Sequence, residues 1–153
     1  MAIANYRRVL VGNSERGRSV VTQDTADLVV IRPTVGVTLH EVWRQDGIPA
    51  TVDGAANPSS AGALEAPPHG AVIRMLTIEP FDDTLGSWTP HLHCDDSLHV
   101  ITMTEGELDI VLEDGVVQLK PGDSIVLPGS MHDLRNLSGS TATFVYTSFP
   151  LAR

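Results

Sequence analysis

Apolar and polar residues alternate with a period of two through much of the C-terminal half of the chain, most clearly in "VITMTEGELDIVLEDGVVQLKPGDSIVLPG" from Val100 to Gly129. That period puts one side-chain face toward a core and the other toward water, the pattern of a half-buried β-strand. The run is broken at Glu105-Gly106, Asp114-Gly115 and Pro121-Gly122-Asp123, where glycine and proline favour turns. Asp114-Gly115 predicts a two-residue type I′ hairpin joining "ELDIVLE" to "VVQLK". Further strands are predicted at 71–78, 99–104, 124–128 and 142–149, and shorter ones at "RRVLVG", "DLVVIR" and "GVTLHEVWR". Many short strands separated by turns every eight to twelve residues predict an all-β sandwich or small barrel. Residues 45–70 are small and rich in proline and glycine and read as one long loop, a length that in compact domains is functional or disordered, so a lid, an oligomer contact and a mobile connection all stay open.

Composition adds limits. A chain of 153 residues, 42% hydrophobic and 19% charged, suits a single globular domain. Its net charge of −9, with scattered Lys and Arg, leaves no basic patch for nucleic acid or an anionic membrane surface. No apolar run reaches the ~18 residues of a membrane span and no signal-peptide core opens the chain, so a soluble cytoplasmic protein is expected. The single cysteine, Cys94, forms no intrachain disulfide and is expected to be a small buried hydrophobe.

Three of the six histidines fall within "HLHCDDSLH", residues 91–99. In a strand, His91 and His93 share a face, and a divalent transition metal accepts such a pair of imidazoles if neighbouring strands add one or two ligands. His99, at the start of the next strand, and His132, after "SIVLPGSM", are the candidates. His40 and His69 have no partners by spacing and read as structural or exposed.

The arrangement resembles the cupin family, small β-barrels with a first motif of roughly GxxxxxHxHxxx(x)ExxxxxxG and a second of roughly GxxxxxPxGxxHxxxN. Gly86, His91, His93 and Gly106 trace the first motif; Gly122, Pro128, Gly129, His132 and Asn136 trace the second. The resemblance implies a single-domain double-stranded β-helix, or jelly roll, with residues 70–153 as the conserved barrel and 1–69 as a strand-and-loop extension of the same domain. It also implies a homodimer and a metal held by His91, His93, His99 and His132. Zn(II) or Fe(II) heads the list of metals, with Ni, Mn and Cu behind. Counting back from Gly106, His99 stands where the family usually has glutamate; counting forward from His93, that position falls on Ser97 or Leu98, so Asp95 and Asp96 are reserve ligands. Four imidazoles leave a divalent ion with about one more positive charge than three imidazoles and a carboxylate, which favours anionic oxygen ligands.

Two functions are expected of such a barrel. One is an enzyme acting on a small enolisable carbonyl, carboxylate or phenolic compound, by isomerisation, cyclisation, decarboxylation, dehydration or dioxygenation. The other is a barrel that binds a metabolite or metal without turnover. The enzyme reading places Met103, Val111, Ile125 and Phe144 around an apolar pocket and leaves the general base open among Glu41, Glu79, Asp95 and Asp96. Arg74 and Glu79 could line the barrel mouth, though polar residues on a half-exposed strand are usually solvent-facing; Trp43 and Trp88 read as core or interface packing, with Trp88, three residues before His91, the better candidate for a substrate platform.

Overall fold

A computed structural model describes residues 5–50 and 62–152. Eleven strands carry the fold among them: β1 (Arg8–Asn13), β2 (Ser19–Thr25), β3 (Val29–Ile31), β4 (Val37–Gln45), β5 (Ala71–Ile78), β6 (Ser97–Glu105), β7 (Leu108–Leu112), β8 (Gly115–Leu119), β9 (Ser124–Pro128), β10 (His132–Arg135) and β11 (Ala142–Pro150). Among the described residues the one helical element is a single 3₁₀ turn at Asp83–Leu85, capped by the Asp82 side chain. No helix among the described residues is long and apolar enough to cross a membrane.

Six strands form one sheet in the order β3-β4-β5-β11-β6-β9, and three form a second in the order β10-β7-β8; all pairings are antiparallel. The last strand, β11, enters the middle of the large sheet between β5 and β6. Non-local pairing of this kind is characteristic of a jelly roll. β1 and β2 make a separate hairpin.

Period-two alternation sets which side chains fill the space between the sheets. From β4, β5, β6 and β11 come Leu39, Leu76, Ile78, Ile101, Met103, Ala142 and Phe144; from β7 and β8 come Leu108, Ile110 and Leu119, with Leu127 from β9. Each large apolar side chain removed from water in this way contributes roughly 1.5–3 kcal/mol. Met103 and Phe144, expected to line a pocket, are core residues, and Ile125 packs against the same cluster.

Two local expectations change. The β7–β8 hairpin closes through Glu113-Asp114, because Gly115 already pairs with Leu112 and takes up the turn at a φ of 130°. No non-glycine residue has positive φ among the described residues, so a type I′ turn is excluded there. The 45–70 segment is tied down on its far side, where Ile48 N–H donates to the His69 carbonyl at 2.9 Å; residues 51–61 of that predicted loop lie outside the described residues.

Gly106, between β6 and β7, has a φ of 72°, and a Cβ there would stand 2.4 Å from the Thr141 carbonyl oxygen. Left-handed backbone and a backbone clash act together, so Gly106→Ala is expected to cost about 2–4 kcal/mol. A lower urea midpoint with an unchanged m-value is the measurement that shows it; an unchanged midpoint contradicts this account.

Candidate functional site

The histidines are brought together by a non-strand segment docked on β10. Residues 86–96 are irregular, and within them His93 forms a two-way backbone bridge with His132: His93 N–H donates to the His132 carbonyl, and His132 N–H to that of His93, both at 3.0 Å. His91 N–H donates to Asp133 Oδ2 at 2.8 Å, and the Arg135 guanidinium lies 5.0 Å from the centre of the Trp88 ring. So His91 and His93 owe their placement to β10 rather than to the predicted strand. Trp88, expected near the histidines, helps anchor the segment that carries them.

The ring centroids of His93 and His132 are 4.8 Å apart, and those of His99 and His132 are 5.7 Å apart. His91 stacks at 6.4 Å from His93, on an exposed rim. His99 and His132 are buried, at 4% and 5% exposure, whereas His93 is open to solvent. Among the described residues no group of three or more His, Cys, Asp or Glu side chains is arranged to hold a metal ion.

The hydrogen bonds specify which ring nitrogens face the centre. His93 Nδ1 lies 3.1 Å from the His91 carbonyl oxygen and His132 Nδ1 lies 2.7 Å from the Ser130 carbonyl oxygen. A carbonyl only accepts, so each Nδ1 carries a proton, and in the neutral ring it is Nε2 that has the lone pair. His99 is held on both sides, with Nδ1 at 2.7 Å from the Tyr146 hydroxyl and 3.1 Å from Ser148 Oγ, and Nε2 at 3.0 Å from Asp95 Oδ1. Burial pushes the pKa of His99 down; Asp95 raises it in part and His132 lowers it further. Burial also pushes the Tyr146 hydroxyl up to about 12, so it keeps its proton at neutral pH and serves as a donor.

Tyr146 and Ser148 were not singled out from sequence. The signal was the alternation of β11: Phe144, a core residue, fixes the inward face, and Tyr146 and Ser148 follow it at steps of two. Two expectations are corrected. Cys94 is exposed rather than buried, because the segment carrying it is not a strand with an inner face. Arg74 is 1% exposed rather than solvent-facing, because it shares the inward face of Leu76 and Ile78 on β5. Glu41 is fully buried in ion pairs with Arg44 and Arg74, each at 3.0 Å, which removes it from the candidate bases; Glu79 is exposed at the end of β5. His40 is buried against the Tyr6 ring, and His69 bridges to Gly47, both away from the centre.

No protein-family model matches the sequence, and no curated protein matches it. In structure the chain is similar to KdgF from a Halomonas species, over 80% of this chain and 88% of that one, with a TM-score of 0.53 and 13% identity. It is also similar, at a TM-score of 0.47 and 19% identity over 74% of its length, to a cupin-superfamily sugar phosphate isomerase from Silicibacter pomeroyi; it spans 59% of that chain. An RmlC-like cupin with a double-stranded β-helix from Methanocaldococcus jannaschii is similar over 52% of this chain and 70% of its own, with a TM-score of 0.43 and 20% identity. Identities this low speak to architecture alone. Its β11, inserted between β5 and β6 of a large antiparallel sheet that faces a smaller one, gives this chain an all-β double-stranded β-helix, or jelly-roll, fold.

Proposed function

We propose that the barrel is a small metal-dependent cupin enzyme whose histidine centre acts on a small oxygen-bearing substrate. The observation that supports this most is the pair of Nδ1-to-carbonyl bonds, which turns the lone pairs of His93 and His132 away from the backbone beside buried His99. Metal-bound histidines usually have their second nitrogen tied in this way.

His99 fits the donor set through its tautomers. With Nε2 protonated, it donates to Asp95 while Tyr146 donates to Nδ1. With Nδ1 protonated, it donates to Ser148 or Tyr146 oxygen, and its Nε2 lone pair stands beside the Asp95 carboxylate. The 3.0 Å between Asp95 Oδ1 and His99 Nε2 is close to the ~3 Å separation of two neighbouring ligands on one ion. His93, His99 and His132 with Asp95 are the residues that would hold a divalent metal once drawn together, since as they stand no three of them are set to hold an ion, with His91 at the rim as the further imidazole. A metal held there supplies a Lewis acid, or with iron an oxygen-activating centre. The chain's own part is to hold Tyr146 as a proton-bearing donor beside the site and to back it with the apolar core.

Elemental analysis of purified, untagged protein under conditions that keep Fe(II) reduced tests the proposal. About one transition-metal ion per chain is expected; no metal in the folded protein, even after reconstitution with Zn(II), Fe(II), Ni(II), Mn(II) or Cu(II), overturns it.

We also propose a homodimer built on the β1–β2 hairpin. Val9, Val11, Val20 and Val21 are 44%, 60%, 40% and 60% exposed there, an apolar surface on a two-stranded ribbon with open edges. Light scattering coupled to size exclusion is expected to give twice the 16.4 kDa chain mass for the full chain and the monomer mass for a chain lacking residues 1–25. A monomer in both removes the proposal.

A further inference from the structure

Three charged side chains inside the barrel have no part in the histidine centre. Glu41, Arg44 and Arg74 are 0%, 1% and 1% exposed, and one carboxylate and two guanidiniums sum to a buried charge of +1. Glu41 Oε2 accepts from Nη2 of both arginines, at 3.0 Å each. On the other side, the carbonyl oxygen of Ala63 accepts from the same two Nη2 groups. The remaining Nη1 groups donate to the Leu64 and Glu65 carbonyls, at 2.7 and 3.0 Å, and Arg74 Nε is buried with no hydrogen-bond partner among the described residues. Two guanidiniums thus bracket two oxygens, one from a carboxylate and one from a neutral carbonyl. The neutral one leaves a buried cation uncompensated, a costly arrangement.

The location links this cluster to the histidine centre. Arg74 pairs with Glu41 on β4 and with Tyr146 on β11, and the Tyr146 hydroxyl reaches His99. The carbonyls that cover the arginines come from Ala63, Leu64 and Glu65, an exposed stretch outside any strand, so little more than one layer of backbone separates the guanidiniums from solvent.

We propose that Arg74 and Arg44 form the binding site for a carboxylate group of the substrate, which takes the position of the Ala63 carbonyl and engages Arg74 Nε. A planar carboxylate matches the guanidinium fork with two parallel bonds. One negative charge brings the cluster to neutrality, whereas a phosphate dianion overshoots to −1. This names the substrate class for the function proposed above and rests on it: the carboxylate sits on the arginines and the reacting oxygen faces Tyr146 and the histidines.

Pyruvate and its amide, pyruvamide, differ by the group in question. Titrations followed by NMR are made on metal-loaded and chelator-treated protein, with inorganic phosphate as a third probe. Pyruvate is expected to bind at least ~10-fold more tightly than pyruvamide and more tightly than phosphate, in both metal states. In Arg74→Gln that preference is expected to fall to within about twofold, with the metal content unchanged. Should Arg74→Gln not fold, the wild-type ratio together with Arg44→Lys, which keeps the charge but loses the fork, decides. A wild-type ratio below about two, tighter binding of phosphate, or no binding of pyruvate at tens of millimolar overturns the assignment. So does a pyruvate preference that survives Arg74→Gln and disappears on chelation, a result that would leave the metal proposal intact. A preference that persists without any bound metal supports the arginine site even where the metal proposal fails.

Discussion

Glu41→Gln is expected to lower the folding stability by about 3–5 kcal/mol, the range for removing one partner of a buried ion pair. In a domain of this size each kcal/mol moves Tm by ~2–4 °C, so a fall of about 10 °C is the result to look for. The cause is specific. Glu41 supplies the one carboxylate oxygen that both Arg44 and Arg74 share, and without its charge two guanidiniums remain in the barrel interior facing only neutral oxygens among the described residues. Two comparisons separate this from a general loss of packing. Glu79→Gln, at an exposed site on the end of β5, is expected to change stability by no more than ~0.5 kcal/mol. Combining Glu41→Gln with Arg74→Met removes a cation together with the anion and is expected to recover part of the loss, since an apolar replacement of a charge pair is often tolerated. Thermal unfolding of the three variants decides it: a double variant less stable than Glu41→Gln alone would show that Arg74 contributes by packing rather than by charge.

The same cluster shows where sequence reasoning was enough and where it was not. β-strand alternation located most of the large sheet and the core face of β7, because each of those strands has one face against the core and one toward water. β2 was not predicted: Ser19–Thr25 is exposed nearly throughout and has no buried face to produce a pattern. β10 was not predicted either, because its four residues are too few to show a period. Arg74 illustrates a different limit. Its position on β5 put it on the inward face, but a lone arginine in a strand is usually solvated, and it is Glu41 on β4, 33 residues away in sequence, that supplies the partner that lets it be buried. The histidines followed the family pattern by spacing, yet what holds them is a bridge between an irregular segment and β10, a long-range contact that carries no sequence period.

His132→Ala is expected to reduce bound metal from about one per chain to less than a tenth, with His93→Ala close behind and His91→Ala retaining most of it. The ranking follows from how each ring is held. His132 is buried and its Nδ1 is fixed to the Ser130 carbonyl at 2.7 Å, so its ring is already oriented and its Nε2 is left for a ligand bond. His93 is held in the same way but more loosely, at 3.1 Å and in solvent. His91 is held by its backbone N–H, and its stacked ring stands 6.4 Å from that of His93. Loss of an outer-shell partner alone typically costs ~10–100-fold in metal affinity, so removal of a pre-oriented ligand should exceed that. Asp95→Asn provides the internal check, because it keeps the shape of the side chain beside His99 and removes its charge. If Asp95 is a ligand, this variant is expected to lose metal nearly as completely as His132→Ala. If Asp95 only accepts a hydrogen bond from His99, the asparagine retains an acceptor oxygen and the metal stays, which would leave His91 to turn inward and complete the set. Equal loss of metal in His91→Ala and His132→Ala would favour that second arrangement, and no loss in His132→Ala would remove the histidine centre as the metal site.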